Sequence, residues 1–131
     1  MSTATLPVGE QRTPPDDFAE DALIEMANLD EQDTNISGTI FVSTALGAHG
    51  PRVKWYPARA GRDLPCLIVA IGLDPQVRDD FLPPRVSRPA IPRVQDWVRL
   101  NHAALLDFWN NGASWNRREV SAFLDGLKPL P

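Results

Sequence analysis

Few of the residue types that carry common chemistries are present in this 131-residue chain. Cys66 is the only cysteine and His49 and His102 are the only histidines. One cysteine excludes an intramolecular disulfide. A closed zinc site normally draws four Cys or His ligands, so this set predicts no metal. There is no uninterrupted apolar run of about 18 residues, and the first twenty positions lack the basic and apolar regions of a secretory signal. Both absences point to a cytoplasmic protein with no membrane association. The nucleophile-elbow, P-loop, dinucleotide-binding and zinc-protease signatures are missing too, as is any internal repeat. No catalytic residue and no cofactor is therefore assigned, and the expectation leans away from an enzyme.

Proline and charge distribution are what the chain has in excess. Thirteen prolines are about twice the usual ~5% frequency, and proline donates to neither helix nor sheet, so long irregular connections are expected. The net charge of −4 is unevenly spread. Residues 1–33 hold nine acids against Arg12 alone, net −8, whereas residues 34–131 hold eight acids and twelve bases, net +4. The chain therefore divides into an acidic arm (1–33) and a basic body (34–131) expected to form a single domain. Residues 1–15 have little to bury and are expected to be mobile. Phe18, Ala22, Leu23, Met26 and Ala27 recur at helical spacing, which predicts a short amphipathic helix over 16–28.

In the body, β-branched residues over 36–44 predict a strand with Ile36, Gly38, Ile40 and Val42 on one face. A Gly-rich loop through His49 follows. The alternation in 52–56 then puts Val53 and Trp55 on a core face and Arg52, Lys54 and Tyr56 on a wet one. The apolar run 66–71 reads as a strand buried on both faces, with Cys66 as a small hydrophobe. Residues 72–92 read as a Pro-rich connection without regular helix, with room for a short edge strand or one helical turn. From Arg93 onward Val94, Trp97, Val98, Asn101, Leu105 and Phe108 trace one helix face, with His102 as a half-buried packing or hydrogen-bonding residue. Asn110, Asn111 and Gly112 predict a left-handed exit, and Asn116 with Glu119 has capping-box spacing ahead of a second helix buried through Val120, Phe123, Leu124 and Leu127. The fold class is α+β: a small antiparallel sheet of about three strands, one face covered by a C-terminal helical hairpin. Trp97, Leu105 and Phe108 are expected to cover Val53 and Trp55, and the four tryptophans to form one aromatic core, Trp115 being the alternative partner anchor.

The candidate binding residues are His49, Arg52, Lys54, Tyr56, Arg59 and Arg62. His49 lies in a loop where backbone amides and Arg52 could converge on an anion, or it simply helps set a turn. The cations with Tyr56 interleaved suit phosphates and a stacked base, but a charged strand face also prevents edge pairing. Arg78, Arg85, Arg88 and Arg93 read as a solvated rim, and Asp74, Asp79 and Asp80 as exposed loop carboxylates.

The run Gly47–Lys54 (GAHGPRVK), the helix pattern Trp97, Asn101, Leu105, Trp109, and the ending Phe123–Leu130 (FLDGLKPL) together resemble a group of small bacterial proteins of unknown function, over roughly residues 25–130. More distantly the chain resembles small bacterial domains found among toxin–antitoxin-like gene pairs, which have a short sheet and end in a similar Trp-containing helix. Some of those domains carry a double histidine where this chain has one loop histidine. The resemblance implies the fold and no activity. The expected function is an interaction or regulatory module that takes a protein partner or an anionic ligand on the His49/Arg52/Lys54 face. The alternative is a toxin-like ribonuclease or other nucleic-acid-binding protein using the same face.

Overall fold

The computed structural model describes residues 26–45 and 49–131. Five strands, β1 (Met26–Leu29), β2 (Thr39–Ser43), β3 (Arg52–Tyr56), β4 (Leu67–Ala70) and β5 (Val77–Asp80), form one antiparallel sheet in chain order. The sheet thus has two strands more than expected, one added at each edge. β1 lies where the amphipathic helix over 16–28 was expected. Ala27 and Leu29 pair with Val42 and Ile40 and join the inner core, so residues 26–28 follow a period of two; the rest of that expected helix lies outside the described residues. After β1, Asp30 caps the four-residue helix α1 (Glu31–Thr34) in a capping box with Asp33. Asn35, in the left-handed conformation (φ 61°), then reverses the chain into β2.

Ile40 and Val42 point inward as expected, but the strand starts only at Thr39. Gly38 (φ 99°) precedes it because a Cβ there would overlap the Tyr56 carbonyl oxygen and the Trp55 indole. In β4, Leu67, Ile68 and Val69 are all buried, in agreement with a strand enclosed on both sides. β5 is the edge strand for which the Pro-rich connection left room, and a register irregularity opposite Ile68 and Val69 bends it.

The helical layer begins earlier than expected. α2 (Pro84–Leu100) runs through Pro89 and Pro92, in a stretch that was expected to hold no regular helix. Pro83 and Pro84 sit at its N-terminus, where a missing N–H costs nothing. Pro89 and Pro92 are exposed, and the carbonyls they leave without helical donors, those of Arg85 and Arg88, belong to exposed residues that water can solvate. Asn101 interrupts the run, so α3 (His102–Asn111) is a separate helix and the expected hairpin is a three-helix layer. Gly112 is right-handed (φ −60°), not the left-handed exit expected, and leads into the 3₁₀ turn Gly112–Ser114. Glycine is required there because a Cβ would come within 2.5 Å of the Phe108 ring and 2.9 Å of Thr44. Asn116 and Glu119 form the expected capping box at the start of α4 (Arg117–Gly126), each side chain accepting the other's backbone N–H at 2.9 Å.

The main core lies between the sheet and these helices: Val53 and Trp55 share it with Trp97, Leu105 and Phe108, as expected, and Leu67, Val69, Val94 and Val98 join them. Trp55 donates its indole N–H to the Ser37 carbonyl at 2.9 Å. The single aromatic core is formed in part: Trp55 and Trp97 belong to the main core and Trp115 packs against it, whereas Trp109 is buried but not among its members. Phe108, Phe123 and Trp115 form a ring cluster that fastens α4 to α3, with Phe108 and Phe123 stacked at 4.4 Å.

Candidate anion-binding face

The pairing register builds a second face from the side chains that point away from the helices. Asn28, Phe41, Lys54, Ile68 and Asp79 lie opposite one another in turn and make a row across all five strands. Lys54 is half-buried, and its Nζ lies 5.9 Å from the centre of the Phe41 ring, a cation–π contact worth about 0.5–1 kcal/mol at an exposed site. Beside this row Tyr56, Cys66 and Ile68 form a small apolar cluster with Phe41 and Ala60 packed against it.

At the β3 start, His49, Gly50 and Arg52 line a cleft of about 390 Å³ with Arg78 and Asp79 of β5. His49 is exposed and Arg52 half-buried. Among the described residues no carboxylate lies within ion-pair distance of Arg52, Lys54 or Arg78, whereas Arg99 and Asp96 of α2 pair at 2.8 Å. Arg78 was expected on a solvated rim, and the structure brings it to Arg52 instead. Its partners in that rim, Arg85, Arg88 and Arg93, lie on the exposed side of α2, where Arg93 donates to the Asn35 carbonyl. The signal that could have found Arg78 and Asp79 is the edge strand β5, hidden between Pro75 and Pro83.

Two other assignments change. Tyr56 was placed on the wet face, ready to stack a base, but it is only 5% exposed, and its ring is used in packing. Arg59 and Arg62 are exposed in the loop after β3 and do not line the cleft. Arg52 and Tyr56 are at opposite ends of the strand, about 13 Å apart at ~3.3 Å per residue, so the six residues do not converge on one point.

Cys66 and Tyr56 are packed together in the small cluster on this face. Burial pushes the Cys66 thiol up, against the opposing pull of Lys54, Tyr56 and Arg52, while Asp79 adds to the rise. Burial also pushes the Tyr56 hydroxyl up, helped by the charge Cys66 would carry. Both groups therefore stay neutral near pH 7, and neither is a nucleophile in this setting.

His102, half-buried, donates through Nδ1 to the Arg99 carbonyl at 2.9 Å, the hydrogen-bonding role expected of it. No group of three or more His, Cys, Asp or Glu converges among the described residues, and none of their helices is long and apolar enough to cross a membrane. Comparison of the chain with protein-family models, curated proteins and solved structures gave no match.

Proposed function

We propose that this chain is an interaction module that binds an acidic segment of a partner protein on the sheet face turned away from α2, α3 and α4. The supporting observation is the meeting of His49, Arg52 and Arg78 in one cleft beside Lys54, with no carboxylate in ion-pair contact with these cations among the described residues. Placing an acidic group there costs no existing ion pair, and an open face beside fixed cations attracts anions over about a Debye length. Half-buried Phe41, beside Lys54 in the same row, offers an apolar contact for a non-polar side chain of such a segment.

A fluorescein-labelled deca-glutamate peptide tests this at low salt. Arg52→Glu with Lys54→Glu should weaken its binding at least tenfold, since each reversal replaces an attraction with a repulsion. Affinity unchanged by the double substitution removes the face from consideration.

A second reading, nucleic-acid processing, draws support from His49 and Asp79 lining the same cleft as two arginines, an arrangement that could move a proton beside a held phosphate. The buried Tyr56 ring weakens it, because base stacking needs an exposed aromatic face. Cleavage of a single-stranded RNA oligomer that is lost in His49→Ala would establish this second reading.

A further inference from the structure

The sheet face turned away from α2, α3 and α4 carries Arg52, Lys54 and Arg78 beside the half-buried Phe41 ring, and the chain itself contains a segment of complementary charge. Residues 1–25 carry six acids (Glu10, Asp16, Asp17, Glu20, Asp21, Glu25) against Arg12, net −5, with Phe18, Leu23 and Ile24 among them. This segment enters the described fold at Met26, the first residue of β1, which pairs with Ser43 on β2. The row Asn28, Phe41, Lys54 places Lys54 two strands away from β1, about 10 Å at the usual strand spacing. Even a short stretch of chain reaches that far at ~3.3 Å per residue.

We infer that residues 10–25 occupy the Arg52/Lys54/Arg78 face in the unbound protein and compete with the acidic partner for it. This inference rests on the proposed anion-binding role and adds its regulation. The charge signs are complementary, and half-buried Phe41 offers an apolar contact to Phe18 or Leu23. A tether this short holds the segment at an effective concentration of about 1 mM. A contact of only ~0.1 mM dissociation constant then masks the face about tenfold. The partner would have to displace the segment, so a weakly acidic sequence is rejected and a dense acidic one is accepted.

The test uses the full chain with its six acids neutralised (Glu10→Gln, Asp16→Asn, Asp17→Asn, Glu20→Gln, Asp21→Asn, Glu25→Gln). Its affinity for labelled deca-glutamate should exceed that of the unmodified chain about tenfold, and a synthetic peptide of residues 10–25 should compete in trans. Amide NMR spectra supply a readout independent of the probe: neutralisation should shift the resonances of Arg52, Lys54, Ile68 and Arg78. Equal probe affinity in the two chains, with shifts confined to residues 1–25, overturns the masking while leaving the anion-binding role intact. Shifts at Arg52 and Lys54 without any deca-glutamate binding in either chain support the intramolecular contact and overturn the partner role.

Discussion

Tyr56 and Cys66 are two weak acids packed together and held neutral by burial in the sheet, and this makes stability sensitive to alkali. Both are raised in the folded state above their ordinary values of 10.0 and 9.0, chiefly by burial. The unfolded chain therefore releases these protons at a lower pH than the folded one. Between the ordinary and the raised values the folded state binds more protons, and unfolding becomes easier as pH rises. The urea midpoint should be insensitive to these two groups at pH 7 and should fall as pH climbs past about 9, where the unfolded thiol begins to ionise. In Cys66→Ala the fall should start later, near the ordinary tyrosine value of 10.0. A midpoint that rises over that range would mean the thiolate is the favoured form in the fold. The same pair explains why Tyr56 was misplaced by its sequence: alternation sets the side of the sheet, but not whether the loop carrying Ala60 closes over it.

At the level of elements, α2 departs furthest from local propensity, since a proline in a helix interior costs about 3 kcal/mol relative to alanine. Pro92 is exposed and withholds a donor from the Arg88 carbonyl, so Pro92→Ala should restore a helical hydrogen bond. Part of that gain is offset by the greater freedom of the unfolded chain, about 0.4–1 kcal/mol. A net stabilisation of about 2–2.6 kcal/mol in urea unfolding is expected. A destabilised variant would show that the helix is bent around Pro92 to fit the core. Helix α4 was legible from its own residues because the Asn116/Glu119 box and the spacing of Val120 and Phe123 agree. β3 was legible for a similar reason: its five residues alternate cleanly. α2 was not, because the burial of Ala90 and Val94 against the sheet outweighs the prolines, and that burial depends on distant strands. β1 failed for want of length, since four residues fit either period. The candidate site was half legible: His49, Arg52 and Lys54 could be placed by sequence, whereas Arg78 reaches them only through the pairing of β5 with β4.

At the scale of the molecule, the segment after α4 closes the fold, and Asn101 is the group that holds it. Asn101 is 5% exposed and occupies the break between α2 and α3. Its amide donates to the Trp97 carbonyl at 3.0 Å and to the Lys128 carbonyl at 2.9 Å, and its oxygen accepts the Lys128 N–H at 2.8 Å. Two residues on, Leu130 donates to the Thr34 carbonyl at 3.0 Å and its own carbonyl accepts from Asn35. The segment thus ties the helix break to the turn between β1 and β2 while Leu127 and Leu130 pack on the core. Asn101→Ala leaves the Lys128 amide and carbonyl without their side-chain partner, a loss of about 2–4 kcal/mol at ~1 kcal/mol per bond plus the cost of groups left unpaired. If the segment is a cooperative part of the fold, this loss should appear as a lower urea midpoint with an unchanged slope. If instead it is an independent strap, the midpoint should hold while the Lys128 and Leu130 amides alone exchange faster with solvent. The first result is expected, because Leu127 and Leu130 share one apolar cluster with Trp97 and Leu105, and the segment cannot leave without exposing them.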